Sequence, residues 1–208
     1  MLDILFSPDR FFRERAGDPG LGGPVAVVAV VALLGAVAAY PAAEAVAAAL
    51  PAEAQGFSGI TIATTLIGAF VGPFVVWILF AAVFHGLSAF LYDAEGDFRD
   101  TLAFTGWGFV PAIVTAVVGI VVGFLVWGSV QFPDATDPQA VQQFTREIRQ
   151  RPEFIVSGVV GLVVLLWRGM LWTFAMQHCR NIEFREALVT VGVPVGLLFL
   201  YRLSGLVL

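Results

Sequence analysis

The stretch that decides the fold lies at residues 64–92, TTLIGAFVGPFVVWILFAAVFHGLSAFLY, which holds no Asp, Glu, Lys or Arg. A helix of about 20 apolar residues crosses the hydrocarbon core of a bilayer, and this run is longer than that. Its apolar residues form a continuous block rather than the one-sided stripe of a soluble helix. Gly72-Pro73 falls in the middle, yet proline is tolerated in a span, where neighbouring helices satisfy the freed backbone groups. The run reads as membrane helix.

Four more runs of the same kind flank it. Their approximate limits are 24–49, with Pro41 and Glu44 near the far end; 98–127, with Pro111 inside; 154–178; and 184–207, with Pro194 inside. Composition agrees: the 208 residues are 59% hydrophobic and 13% charged, with a mean hydropathy of +0.88, whereas a soluble domain carries about a quarter charged residues. The expected fold class is all-α, a polytopic membrane protein with five transmembrane helices. The membrane domain covers residues 23–208 and follows an N-terminal segment at 1–22.

Within that segment Ser7-Pro8-Asp9 supplies an N-cap, a proline at the first helical position and an early acid. Leu2, Ile4, Leu5, Phe6, Phe11 and Phe12 are apolar, and Arg10, Arg13 and Arg15 are cationic. An amphipathic helix lying in the headgroup layer is expected here, broken by the stretch from Gly17 to Pro24. A second short amphipathic helix is expected outside the membrane, opened by Asp137-Pro138. It sets Val141, Phe144 and Ile148 on one face and Arg146, Glu147, Arg149 and Arg151 on the polar side. Asp3, Asp9, Glu14 and Asp18 precede the first apolar run, so no cleavable leader is read and the first span should insert as its own signal.

All 11 basic residues are Arg, against 16 acids, for a net charge of −5. Such a chain lacks the positive field that draws nucleic acid. A Lys-free, acidic, Ala/Val-rich composition resembles that of a salt-loving archaeon, a resemblance of composition alone. With the N-terminus inside, the inner segments hold Arg10, Arg13, Arg15, Arg99, Arg180 and Arg185, and the outer loops only Arg146, Arg149 and Arg151. Cytoplasmic loops carry the basic excess, so the chain is expected to be multi-pass in the cell membrane, N-terminus cytoplasmic and C-terminus extracytoplasmic.

An internal repeat marks two of the inner turns. Asp97-Phe98-Arg99-Asp100-Thr101-Leu102 returns as Glu183-Phe184-Arg185-Glu186-Ala187-Leu188, each followed four residues later by a glycine, Gly106 or Gly192. The pair is either a duplicated hairpin or two helices started by the same acid three residues ahead of another.

Candidate chemistry centres on Arg168, well inside the fourth span. An arginine at mid-bilayer costs from about 2.5 to over 10 kcal/mol, so it should find partners or snorkel. His85 in the second span lies at a similar depth, and Pro111 lacks the N–H that would engage the Trp107 carbonyl four residues earlier. Trp107 also offers a ring face to a guanidinium. Arg168, His85, Trp107 and Pro111 therefore form a candidate intramembrane polar centre, read either as a clamp between spans or as a seat for a headgroup, ion or proton.

Arg10, Arg13, Arg99 and Arg185 are candidate contacts to lipid headgroups or a partner, placed where lipid phosphates lie. No catalytic residue, metal ligand set or cofactor is assigned. His85 and Ser88 lack an orienting carboxylate and an oxyanion hole, and His85 with His178 makes too few ligands for zinc. Asp93, Glu95, Asp97 and Asp100 lack the spacing of a calcium loop. A single cysteine, Cys179, excludes an internal disulfide. Gly119, Gly123, Gly158 and Gly161 suit close helix contacts.

Four stretches resemble the Yip (Ypt-interacting protein) domain family of five-span membrane proteins. They are Ser7-Pro8-Asp9-Arg10-Phe11-Phe12-Arg13-Glu14, the end of the second span through Gly96-Asp97-Phe98-Arg99-Asp100-Thr101-Leu102, Gly106-Trp107-Gly108-Phe109-Val110-Pro111, and the passage from Trp172 to Ala187. The Asp-Leu-Tyr-Gly-Pro motif of eukaryotic members is absent. The resemblance implies a non-enzymatic scaffold or adaptor in membrane organisation or trafficking. Its partners would be the lipid bilayer and, at the cytoplasmic turns, another membrane protein or a small GTPase. The alternative is a small transporter or lipid-handling protein using Arg168 and His85. The sequence carries no signal for an oligomeric state.

Overall fold

The computed structural model describes residues 3–128, 130, 133 and 138–207. Leu2 and Asp137, named above for the two amphipathic helices, lie outside the described residues. Every regular element among the described residues is helical. Two short helices, α1 (Asp3–Phe6) and α2 (Pro8–Arg13), precede the long helix α3 (Gly22–Ala48). A 3-10 turn at Ala52–Phe57 leads into α4 (Ser58–Tyr92), which starts nearly two turns before the apolar block quoted above. Then come α5 (Phe98–Trp107), α6 (Ala112–Trp127), α7 (Pro138–Arg149), α8 (Pro152–Cys179) and α9 (Phe184–Val207).

Among the described residues four helices are long and apolar enough to cross a membrane, which makes five spans if α5 and α6 together form one. That pair is the main departure from five straight helices, because its axes bend by 50°. The bend lies at Gly108–Pro111, where the backbone tightens into three-residue turns. Gly108, Phe109 and Val110 each donate to the carbonyl three residues back, and Pro111 cannot donate at all. Pro41, Pro73 and Pro194 stay inside continuous helices.

Helix α3 packs along α4 and α6, and α8 pairs with α9 while also touching α5 and α6. Most apolar side chains on the outer faces remain exposed, as a bilayer-facing surface requires, while the buried core sets aliphatic side chains round a cluster of aromatic rings. Trp172 is fully buried and stacks on Phe80 at 4.7 Å, with Phe84 edge-on at 5.3 Å. The α3–α6 crossing is close because Gly123 has no side chain: a Cβ there would meet the Ala38 carbonyl oxygen at 2.8 Å. Gly119 and Gly158 also face neighbouring helices, but Gly161 has open space before it.

The N-terminal helices correct one expectation. Ile4, Phe11 and Phe12 are 1%, 2% and 0% exposed and belong to the protein core. Phe12 stacks on Phe104 at 5.4 Å, and Phe11 sits edge-on to Trp107 at 5.2 Å. The Phe11 and Phe12 face of α2 is therefore spent on α5 and α8 rather than on lipid, while Phe6 of α1 is 82% exposed. Ser7 occupies the cap position of α2, but its side chain makes no capping bond.

Candidate functional site

Two arginines organise the interior. Arg168 projects from the middle of α8 toward the α5–α6 bend. Its Nε donates to the Gly108 carbonyl at 3.3 Å. The guanidinium carbon lies 4.1 Å from the centre of the Phe109 ring and 4.6 Å from that of Trp172, so two π faces stand where a carboxylate would otherwise be needed.

The carbonyl that receives Arg168 is one residue later than the four-residue rule predicts. In the tightened turn the Trp107 carbonyl is taken by Val110 N–H at 3.1 Å. Ala112 N–H goes to Phe109, and the N–H that would reach Gly108 in such a turn belongs to residue 111, a proline. Pro111 thus does free an acceptor for Arg168, at Gly108 rather than Trp107. Gly108 also leaves room for Trp172, whose indole occupies the place a Cβ would take. The indole Nε1 donates to the Thr105 carbonyl at 2.8 Å, and Trp77 does the same to Leu102 at 2.8 Å.

His85 is not part of this cluster. Its Nδ1 lies 3.0 Å from Thr101 Oγ1, and its ring meets Phe98 edge-on. Ser88 Oγ donates to the His85 carbonyl rather than to the imidazole. The Trp107 ring packs on Phe11 and faces Gly23, not Arg168. The four residues grouped from the sequence therefore divide into Arg168 with Pro111 on one side and His85 and Trp107 each with other partners.

The second arginine, Arg180, shows in the sequence only as one of the charges near a span end. It is 1% exposed. Its guanidinium donates to Ser88 Oγ at 3.0 Å, to the Ala94 carbonyl at 2.8 Å and to the Gly96 carbonyl. The turn between α4 and α5 is thus wrapped round a side chain from the turn between α8 and α9. Asp93, Gly96 and Asn181 all have positive φ, at 48°, 88° and 50°, so both turns reverse through the left-handed region. Gly96 answers a further need, since a Cβ there would stand 2.7 Å from the Cys179 carbonyl oxygen.

Both turns then start a helix at the repeated sequence. Asp97 Oδ1 accepts from Asp100 N–H at 2.9 Å, and Glu186 Oε2 accepts from Glu183 N–H at 3.0 Å. These are the two reciprocal halves of a capping box, one used in each copy. Asn181 Nδ2 reaches Glu95 at 3.4 Å, so the acids of the first turn are engaged in turn geometry. Arg99 and Arg185 point outward beside them, exposed and without a hydrogen bond or ion pair among the described residues.

The N-terminal helices complete this end of the bundle. Asp9 Oδ1 lies 2.8 Å from His178 Nε2 and also pairs with Arg13, fastening α2 to the last turn of α8. The His178 bond, with Arg13 beside it, holds the Asp9 carboxyl below the usual carboxylate range. Arg10 is exposed and lies 3.6 Å from Asp3 and 4.0 Å from Glu14. Arg10, Arg13, Arg99 and Arg185 are all spread over the outside, and Arg180 alone is buried.

The family model described as Yip1 domain matches residues 2–205. An uncharacterized protein from Methanocaldococcus jannaschii is 31% identical over 125 residues, which is 60% of this chain and 88% of that relative. The archaeal source of this relative agrees with the archaeal character of the composition. No solved structure matches the chain.

Proposed function

The chain belongs to the Yip1 domain family, and on that premise we propose that this multi-pass membrane protein is a non-enzymatic scaffold or adaptor with five spans, α5 and α6 forming the bent third. Its working face is the end of the bundle that carries the paired turns and the docked N-terminal helices. The observation that carries this reading is the Arg180 clamp: one buried guanidinium holds two carbonyls of the other turn and the Ser88 hydroxyl at the end of α4. That rigidity gives a partner a preformed surface, which lowers the ordering cost of binding. Around it Arg10, Arg13, Arg99 and Arg185 supply contacts to lipid phosphates or to an acidic partner.

With the N-terminus cytoplasmic, this face is turned to the cell interior, where another membrane protein or a small GTPase would meet it. A photo-crosslinker placed at Glu95, and separately at Glu183, tests the reading in cells. Both positions should capture the same protein, identified by mass spectrometry. Arg180→Leu should end the shared capture while the spans stay inserted. Products that contain only lipid from both positions would reduce the face to an anchor.

A further inference from the structure

A cavity of about 670 Å³ opens between α3, α4, α6, α8 and α9. Most of its wall is apolar, with Val31, Val76, Phe109 and Leu206 among the lining residues, yet it also carries two cations, Arg168 and Arg202. No acidic residue lines it, and among the described residues neither guanidinium has an ion pair. Arg168 is only partly used: its Nε is bonded to Gly108, but its Nη2 is buried with no partner. Two like charges on one apolar wall repel each other, and Arg168, the more deeply buried one, lacks a counter-charge that would offset its desolvation.

The shape favours a ligand that is more than a small ion. Gly161 on the cavity wall has nothing within 4 Å of the position a Cβ would take, so an apolar-walled slot lies open beside α8 at that point. The cavity also adjoins a second one of about 740 Å³ beneath α7, since Phe154 and Leu206 border both. Arg146 and Arg149 line that second space. Cationic groups thus stand along a route from the polar face of α7 to the interior.

We infer that the cavity seats an anionic amphiphile, a molecule with a phosphate or carboxylate head and an apolar chain. The head lies between Arg168 and Arg202, where the unused Nη2 donor of Arg168 receives it. The chain lies in the slot along Gly161, Val31 and Val76. This goes beyond the adaptor role, since the site is at the opposite side of the α5–α6 bend from the paired turns and does not depend on their having a partner.

The test uses the delipidated full-length protein in a non-ionic detergent, with dansyl-undecanoate as the fluorescent probe. Phosphatidylglycerol or oleate should displace the probe at concentrations about tenfold or more below those needed for zwitterionic phosphatidylcholine. The stronger of the two names the head as phosphodiester or carboxylate. Arg202→Leu, at the exposed rim, should weaken probe binding by about tenfold, and Gly161→Leu should fill the slot and abolish it at unchanged Tm. Equal displacement by phosphatidylcholine would overturn the proposal, as would wild-type binding in either variant. Displacement by inorganic phosphate as effective as that by phosphatidylglycerol would leave a small-anion site and remove the amphiphile.

Discussion

Arg180 Nε donates to Ser88 Oγ at 3.0 Å across 92 positions of sequence, and this bond joins the ends of α4 and α8. The same guanidinium reaches the Ala94 and Gly96 carbonyls. Bonds to a charged donor contribute roughly 1.5–3 kcal/mol each and do not add fully, so Arg180→Leu should cost about 3–5 kcal/mol. Arg180→Lys should recover only part, because an ammonium lacks the planar fork that serves three acceptors. Thermal unfolding of the two variants in detergent checks the ranking. Equal loss in both would show that the charge, and not the fork, matters.

The N-terminal helices should behave as part of the bundle. Phe12 is fully buried against Phe104, and deleting a buried phenyl costs about 3–5 kcal/mol. Phe12→Ala should therefore lower Tm and expose residues 3–13 to hydrogen exchange in detergent, with no bilayer present. A segment held by lipid alone would exchange freely in wild type and variant alike.

Acid should release the same segment. The bond from His178, followed by Arg13, depresses the Asp9 pKa in the folded protein. A depressed carboxylate contributes stability that is present above its unfolded pKa of about 3.9 and is lost as pH falls through the folded value. Protection of residues 3–13 should hold from neutral pH to about 5 and decline only below about 4. Asp9→Asn should show weaker protection at neutral pH and no such decline.

These cases mark what the sequence made legible. Long apolar runs announce spans because a bilayer imposes length and composition on each helix by itself, and the helices at 22–48, 58–92, 152–179 and 184–207 match runs visible in the residue string. Pro111 announced a freed carbonyl, but the register depended on whether the turn was of three or four residues. Phe11 and Phe12 show an apolar face that looks the same whether lipid or protein covers it. The groove that receives them is built by Phe104 and Trp107, about ninety positions later. Arg180 was least visible of all, since two of its three acceptors are backbone carbonyls and any residue type supplies those.

Orientation has its own measurement. In a Cys179→Ala background, Glu95→Cys and Gln142→Cys place one thiol at each end of the bundle. The distribution of arginine predicts that an impermeant maleimide labels intact cells at position 142 and spares position 95. Labelling at 95 alone would invert the topology and turn the paired turns to the outside.

Arg168 and Pro111 give the sharpest test, because Pro111 leaves free the Gly108 carbonyl to which Arg168 donates. Arg168→Leu removes a charge whose burial is costly and replaces it with a side chain suited to the apolar surroundings. The Gly108 carbonyl then loses its donor, at a cost of roughly 1–3 kcal/mol for an unsatisfied buried group, together with the contacts to the Phe109 and Trp172 rings. The two effects oppose, so the net change should stay within about 2 kcal/mol of wild type. Pro111→Ala adds the missing N–H three residues after Gly108, where the local turn directs it. On the Arg168→Leu background that N–H restores the lost bond, so the double variant should be more stable than Arg168→Leu alone. In the wild-type background the same N–H competes with Arg168 for one acceptor and gains little. The resulting coupling should be about 1 kcal/mol in a double-mutant cycle read by thermal unfolding. Additive effects would mean that the Gly108 carbonyl does not link the two residues, and that the aromatic faces alone hold the guanidinium.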